Sequence, residues 1–190
     1  MKSTLSRCEW CTSDPGYMKY HDEEWGVPVH DDHKLFEMIT LEGAQAGLSW
    51  LTILKRRAGY RKAFHDFDPE KVVKFDDKKV NELMNDTGII RNKLKINSTI
   101  SNAYAFISIQ KEYGSFDSYI WSFTNGNTII NKWKSLKEIP ASTSLSDKIS
   151  KDLKQRGFKF MGTTICYAFI QAVGIVNDHT RKCFRYQREK

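Results

Sequence analysis

Four residues of the kind that bind soft metal ions lie near the two ends of the chain, Cys8 and His21 at one end and His179 and Cys183 at the other. Twelve residues separate the first pair, whereas the second pair is four apart, so on a helix its two side chains would share a face and grip one ion. Such a Cys2His2 set is sufficient for closed tetrahedral zinc. The set has a competitor, because Cys8-Glu9-Trp10-Cys11 is itself a C-x-x-C in which Cys11 could replace His21 or form a redox pair. A thioredoxin-like role needs a βαβ setting that this sequence does not offer, which ranks redox chemistry below zinc. The bland alternative is a buried thiol beside two ordinary histidines.

A carboxylate is the second candidate. Leu35, Ile39, Glu42 and Ala46 recur at i, i+4, i+7 and i+11, which places Glu42 on the same helical stripe as apolar residues that seek the core. Desolvation disfavours the charged form, so such a carboxylate needs a hydrogen-bond donor, a cation, or a cavity that receives a ligand. A structural salt bridge and a binding pocket both satisfy that need. Trp10, Tyr17, Tyr20, Trp25 and Trp50 surround the same stretches, and aromatic faces can either fill a core or sandwich a planar base. Between two expected helices, Asn85 to Lys93 contains the turn residue Gly88 followed by Arg91 and Lys93. Turn amides and a following helix N-terminus can bind phosphate, with these cations and Lys95 in support, although a plain helical hairpin reads the same way.

These residues must be held by helices. Asp32 is expected to cap a helix from His33 to about Ala46 that stops at Gly47, and Ser49 to cap a short one through Trp50 and Leu54. Asp68-Pro69 and Asp76 open two more, and the second ends before Gly88. A long helix is expected from about Asn92 to Tyr113, another from Phe116 to Phe123 behind Ser115, and a further one after a capping box at Ser144-Leu145-Ser146-Asp147, closed by Gly157. The stretch from Thr164 to Val173 is apolar almost all round, the mark of a buried central helix. Strand alternation, repeats and linkers are not evident. The fold class is all-α, a compact bundle of short helices in a single domain over residues 1–190, with two closely packed helical subdomains as the variant of that reading.

With 40% hydrophobic and 28% charged residues the chain should fold by burial, and its net charge of +7 favours an anionic partner such as nucleic acid. The longest apolar run, Ile165 to Val176, is interrupted by Gln171 and too short to span a bilayer, and no signal peptide is evident. A cytoplasmic protein with reduced cysteines is expected.

Several stretches carry a family resemblance: YHDEEWGVP from Tyr20 to Pro28, KLFEMITLEGAQAGLSW from Lys34 to Trp50, and TGIIRNKLKI from Thr87 to Ile96. IPASTSLSD from Ile139 to Asp147, RGFKFMGTTICYAFIQAVGIVNDH from Arg156 to His179, and Cys183 continue it in consistent order over nearly the whole chain. Together they resemble the 3-methyladenine DNA glycosylase I family of the helix-hairpin-helix superfamily. The resemblance implies an all-α fold with a helix-hairpin-helix element, and hydrolytic release of 3-methyladenine from double-stranded DNA by a monomer, leaving an abasic site. It implies that Glu42 hydrogen-bonds the flipped base between Trp10, Tyr17, Tyr20, Trp25 and Trp50, and that Leu48 fills the space the base leaves. It also implies one structural zinc on Cys8, His21, His179 and Cys183, and DNA contacts at the hairpin residues Gly88, Arg91 and Lys93. Two features depart from the family pattern: Cys11 adds a thiol beside a ligand position, and the hairpin lacks the second glycine of the usual turn. A non-enzymatic zinc module for distorted DNA, and a glycosylase that also removes 7-methylguanine, are the competing readings.

Overall fold

Aspartate and serine side chains set most of the helix starts in the computed structural model, which describes residues 5–186. Asp14 caps α1 (Pro15–Glu23), Ser49 caps α3 (Trp50–Leu54), Asp68 caps α5 (Pro69–Val72) and Asp76 caps α6 (Asp77–Leu83), each accepting a first-turn amide. Asn92 and Ser115 do the same for α7 (Lys93–Tyr113) and α8 (Phe116–Ser122). Helix α4 (Arg57–Ala63) follows α3 without a side-chain cap.

Helix α2 (Asp32–Gln45) begins one residue before the expected start. Asp31 takes the capping role, accepting from the Lys34 amide at 2.8 Å. Asp32 is occupied elsewhere: it accepts from the Phe116 and Asp117 amides at 2.9 and 2.8 Å, and so ties the start of α8 to α2. A similar shift of one residue occurs at α9 (Ser144–Gln155), where Thr143 and Ser146 form the capping box. Helix α10 (Thr163–Ala172) completes the set.

One expectation about strands is corrected. Ile129–Ile130 (β1) and Val176–Asn177 (β2) pair in parallel, with Ile129 opposite Val176. Two residues per strand are too few to produce a readable alternation. The segment over His179 and Cys183 is not a helix: it runs through turns, with the Cys183 amide donating to the Thr180 carbonyl at 2.8 Å.

Helix α2 is the centre of the bundle and is buried from Leu35 through Ala44, packing on α3, α7, α8 and α10. Burial on every side, rather than along one stripe, encloses three polar residues, Glu37, Thr40 and Glu42. Its C-terminal carbonyls would be orphaned, but Lys95 Nζ from α7 donates to the carbonyls of Ala44 and Ala46, both at 2.7 Å. Gly47, at φ +77°, then turns the chain outward.

Candidate active site and metal-ligand cluster

The N-terminal segment, α1, α2 and α10 enclose a cavity of about 340 Å³. All five aromatic residues singled out in the sequence line it. Trp10 packs on Tyr17 and Trp25 with ring centroids 5.1 and 5.0 Å apart, and Tyr20 on Trp50 at 5.2 Å. Tyr20, Trp25 and Trp50 are buried and serve as core and cavity wall together, while Trp10 and Tyr17 are half-buried. The loop residues Leu136, Ile139 and Pro140 close another side.

Glu42 lines the same cavity and is only 3% exposed. Its Oε2 has no hydrogen-bond partner, and burial pushes its carboxyl up to about 8. The indole N–H of Trp50, also a lining residue, is equally unpartnered. A buried carboxylate stripped of water and given no cation is not a salt bridge, so the arrangement favours the ligand-receiving alternative. Chemically, the cavity offers aromatic faces for a planar ring and a carboxyl group that would gain from a cation or an N–H donor.

A smaller cleft of about 220 Å³ adjoins the cavity, sharing Glu42, Gln45, Thr164 and Ala168 and adding Ala46, Gly47 and Leu48. Leu48 is 40% exposed, an unsatisfied apolar side chain at the rim. Gly88, Arg91 and Lys93 line neither space; Gly88 and Arg91 lie on the turn between α6 and α7 and Lys93 opens α7, with Arg91 and Lys93 exposed. Two amides of that turn are already committed, Gly88 N–H to Asp86 Oδ1 at 2.7 Å and Ile90 N–H to the Tyr60 hydroxyl at 3.2 Å. Lys95 is also committed, to the end of α2, and burial lowers its pKa; of the three cations expected at the turn, Arg91 and Lys93 are the ones left facing solvent.

Cys8, His21, His179 and Cys183 converge, all buried, with one ligand atom from each lying within 4.8 Å of the others. Cys183 Sγ is 3.5 Å from His21 Nε2 and 3.4 Å from His179 Nδ1, and Cys8 Sγ is 3.5 Å from His179 Nδ1. The outward nitrogens have acceptors: His21 Nδ1 meets Asp22 at 2.8 Å and His179 Nε2 meets the Trp25 carbonyl at 3.1 Å. Those contacts place the ring protons outside and turn the unprotonated nitrogens inward, His179 Nδ1 toward the two thiols and His21 Nε2 toward the Cys183 thiol and the Cys8 amide, which donates to it at 3.2 Å. Asp22 is held in turn by Arg7, at 2.6 Å. The group could hold a metal ion. Cys11 stands apart from it, its thiol near the carbonyls of Thr12 and Tyr17, so the C-x-x-C does not operate as a unit.

The sequence matches the family model described as methyladenine glycosylase over residues 10–186. It is 52% identical to DNA-3-methyladenine glycosylase 1 of Escherichia coli (strain K12), covering 98% of this chain and all of that one, and 46% identical to the DNA-3-methyladenine glycosylase of Haemophilus influenzae, covering 94% and 96%. The solved structure of 3-methyladenine DNA glycosylase I from Staphylococcus aureus, described as showing how that enzyme recognises 3-methyladenine, superposes with a TM-score of 0.94 at 35% identity, over 98% of this chain and 99% of that one. The chain belongs to the methyladenine glycosylase family.

In this methyladenine glycosylase fold the sequence left part of the cavity unread. Thr164, Ala168 and Gln171 form the α10 wall, and Tyr167 lines it too. Their signal was present: Thr164, Ala168 and Gln171 recur at i, i+4 and i+7, a small and polar stripe on a helix that is otherwise apolar. The lining contribution of Leu136, Ile139 and Pro140 had no periodic signal, because Leu136 opens a single 3-10 turn, too short to carry a period, and Ile139 and Pro140 follow it outside any helix or strand.

Proposed function

We propose that this chain is a DNA glycosylase that releases 3-methyladenine from alkylated double-stranded DNA by hydrolysis of the N-glycosidic bond, leaving an abasic site. The observation that carries the reading is the buried, unpartnered Glu42 carboxyl in an aromatic cavity. Methylation at N3 makes adenine cationic in DNA, so the leaving base departs as a neutral molecule without a strong general acid. Water adds at the sugar carbon as the bond to the base breaks, the bonding electron pair leaves with the base, and the added water gives up one proton to the solvent. Glu42 supplies the anion that a cationic base favours, and stacking between the aromatic rings orients it. Flipping costs a few kcal/mol, less for a damaged base, which selects the lesion before any bond breaks.

Leu48 enters the duplex where the base leaves, consistent with its exposure at the rim. The α6–α7 turn acts as a helix-hairpin-helix that meets the DNA backbone at Gly88, with Arg91 and Lys93 supplying charge. The Cys8, His21, His179 and Cys183 group fits one structural zinc: two soft thiols, two outward-tethered histidines, and no position left for water. Bound there, the ion would cross-link the two ends of the chain. The chain works as a monomer in the cytoplasm.

Incubating the protein with methylated duplex DNA and identifying the released bases tests the reading. Release of 3-methyladenine supports it, co-release of 7-methylguanine favours the broader glycosylase, and binding without release favours a non-enzymatic damage-binding module.

A further inference from the structure

Asp178 has a task that zinc ligation and base stacking do not explain. It is fully buried, next in sequence to His179, and four neutral donors surround its carboxylate. Oδ1 accepts from Asn131 Nδ2 at 2.6 Å and from Trp133 Nε1 at 2.8 Å. Oδ2 accepts from the Tyr167 hydroxyl and from Gln171 Nε2, the latter at 2.6 Å. Two of these donors, Tyr167 and Gln171, line the base cavity.

A carboxylate can only accept, so the Gln171 amide must turn its nitrogen toward Asp178; that spends one of its N–H donors and fixes the side on which its carbonyl oxygen, the one acceptor of the amide, lies. The usual ambiguity of a glutamine amide is thereby resolved, and the neighbour that resolves it is itself locked from three other directions. We propose that Gln171, oriented by Asp178, is a specificity-determining residue that accepts a hydrogen bond from the exocyclic amine of the flipped base and so selects 6-amino over 6-oxo purines. The inference rests on the base-pocket reading above. An exocyclic amine has two N–H donors and can serve Glu42 and Gln171 together. A 6-oxo base puts an oxygen opposite the Gln171 carbonyl instead and leaves that acceptor unpaired in a buried site, which is the arrangement that discriminates most strongly.

The test uses the full-length, metal-loaded protein with free 3-methyladenine and free 3-methylguanine, each titrated by the fluorescence of the cavity tryptophans. Gln171→Met keeps length and volume but removes the acceptor. The preference for 3-methyladenine over 3-methylguanine should fall by about tenfold, with metal content unchanged. Asp178→Asn should relax the preference in the same direction, because an amide at 178 can donate to the Gln171 oxygen and let it rotate; if that variant fails to fold, Gln171→Met decides alone. An unchanged preference in Gln171→Met, or an equal loss of affinity for both bases, overturns the assignment. Glu42→Gln run alongside separates the two claims: if it weakens 3-methyladenine binding while Gln171→Met leaves the preference intact, the pocket stands and Gln171 is not its selector. If the parent protein binds neither base, the pocket reading itself has failed.

Discussion

Glu37 and Glu42 lie five residues apart on one buried helix and are driven in opposite directions. Burial alone would raise both. At Glu37 it is outweighed by Arg57, which donates at 2.8 and 3.2 Å, and by Lys34 at 2.9 Å, and the carboxyl falls to about 2. At Glu42 nothing offsets burial and the carboxyl rises to about 8. One glutamate is committed to Arg57 and Lys34; the other has no cation beside it and one carboxyl oxygen without a partner.

The Glu42 shift has a pH signature. Its folded-state pKa lies above the ordinary 4.5, so its contribution to stability is complete below pH 4.5 and is lost as pH rises through about 8. Glu42→Gln cannot ionise and should lose less stability over that window, ending more stable than the parent at pH 9 and similar at pH 4. Excision of 3-methyladenine should nonetheless fall by about tenfold to a hundredfold, the worth of a charge-assisted hydrogen bond. Denaturant melts across pH, set beside excision rates, check both; a destabilised variant with normal excision would return Glu42 to a structural role.

Glu37→Gln should behave in the contrary way. It leaves Arg57 short of a partner and should cost about 2 to 3 kcal/mol near pH 7, less than a fully buried pair because water still reaches Arg57 and Lys34. The sign is reversed as well: Glu37 stabilises above pH 4.5, and that stability fades as pH falls toward about 2. The difference between variant and parent should therefore shrink in acid, as urea melts at pH 7 and pH 3 would reveal.

Removal of the proposed zinc should loosen both ends of the chain. Cys183→Ser, or chelation of the parent under mild denaturant, is expected to lower the melting temperature as metal is lost, because the cross-link spans residues 8 to 183. Elemental analysis of protein and dialysate follows the ion. Cys11→Ser should retain it, since that thiol stands outside the group; loss of metal from Cys11→Ser would redraw the ligand set.

Leu48→Ala should reduce excision from duplex DNA by more than it changes the melting temperature, because a side chain 40% exposed contributes little to the core. Binding of the free base should not change. Equal duplex activity of variant and parent would remove the wedge.

The α6–α7 turn can be moved from behind. A Cβ at Gly59 would lie 2.2 Å from the Gly88 carbonyl oxygen, a backbone atom that cannot step aside cheaply. Gly59→Ala should cost about 1 to 3 kcal/mol and displace the turn. Duplex affinity should drop while free-base binding persists, whereas Arg91→Ala or Lys93→Ala should each lower the salt slope of DNA binding by about one. Fluorescence anisotropy at several salt concentrations separates the two effects.

Local chemistry was legible in the linear sequence, and the reason is that it depends on neighbours in the chain. Caps at Ser49, Asp68, Asp76 and Ser115 need only a side-chain oxygen and amides two or three residues ahead, so each was readable. The five aromatics, Glu42 and the four-residue Cys/His set were identifiable by type and position as well. What the sequence left open was always a choice between distant partners. Asp32 read as the cap of α2; the approach of α8 commits Asp32 elsewhere and leaves Asp31 to the task. Cys11 competed with His21 for a place in the ligand set until folding carried His21 to the far end of the chain and left Cys11 near Tyr17. Lys95 read as a phosphate contact until the end of α2 was found against it. Salt bridge or pocket was undecidable for Glu42 because its pKa depends on which groups the tertiary fold brings near, and the fold brings cations to Glu37 instead.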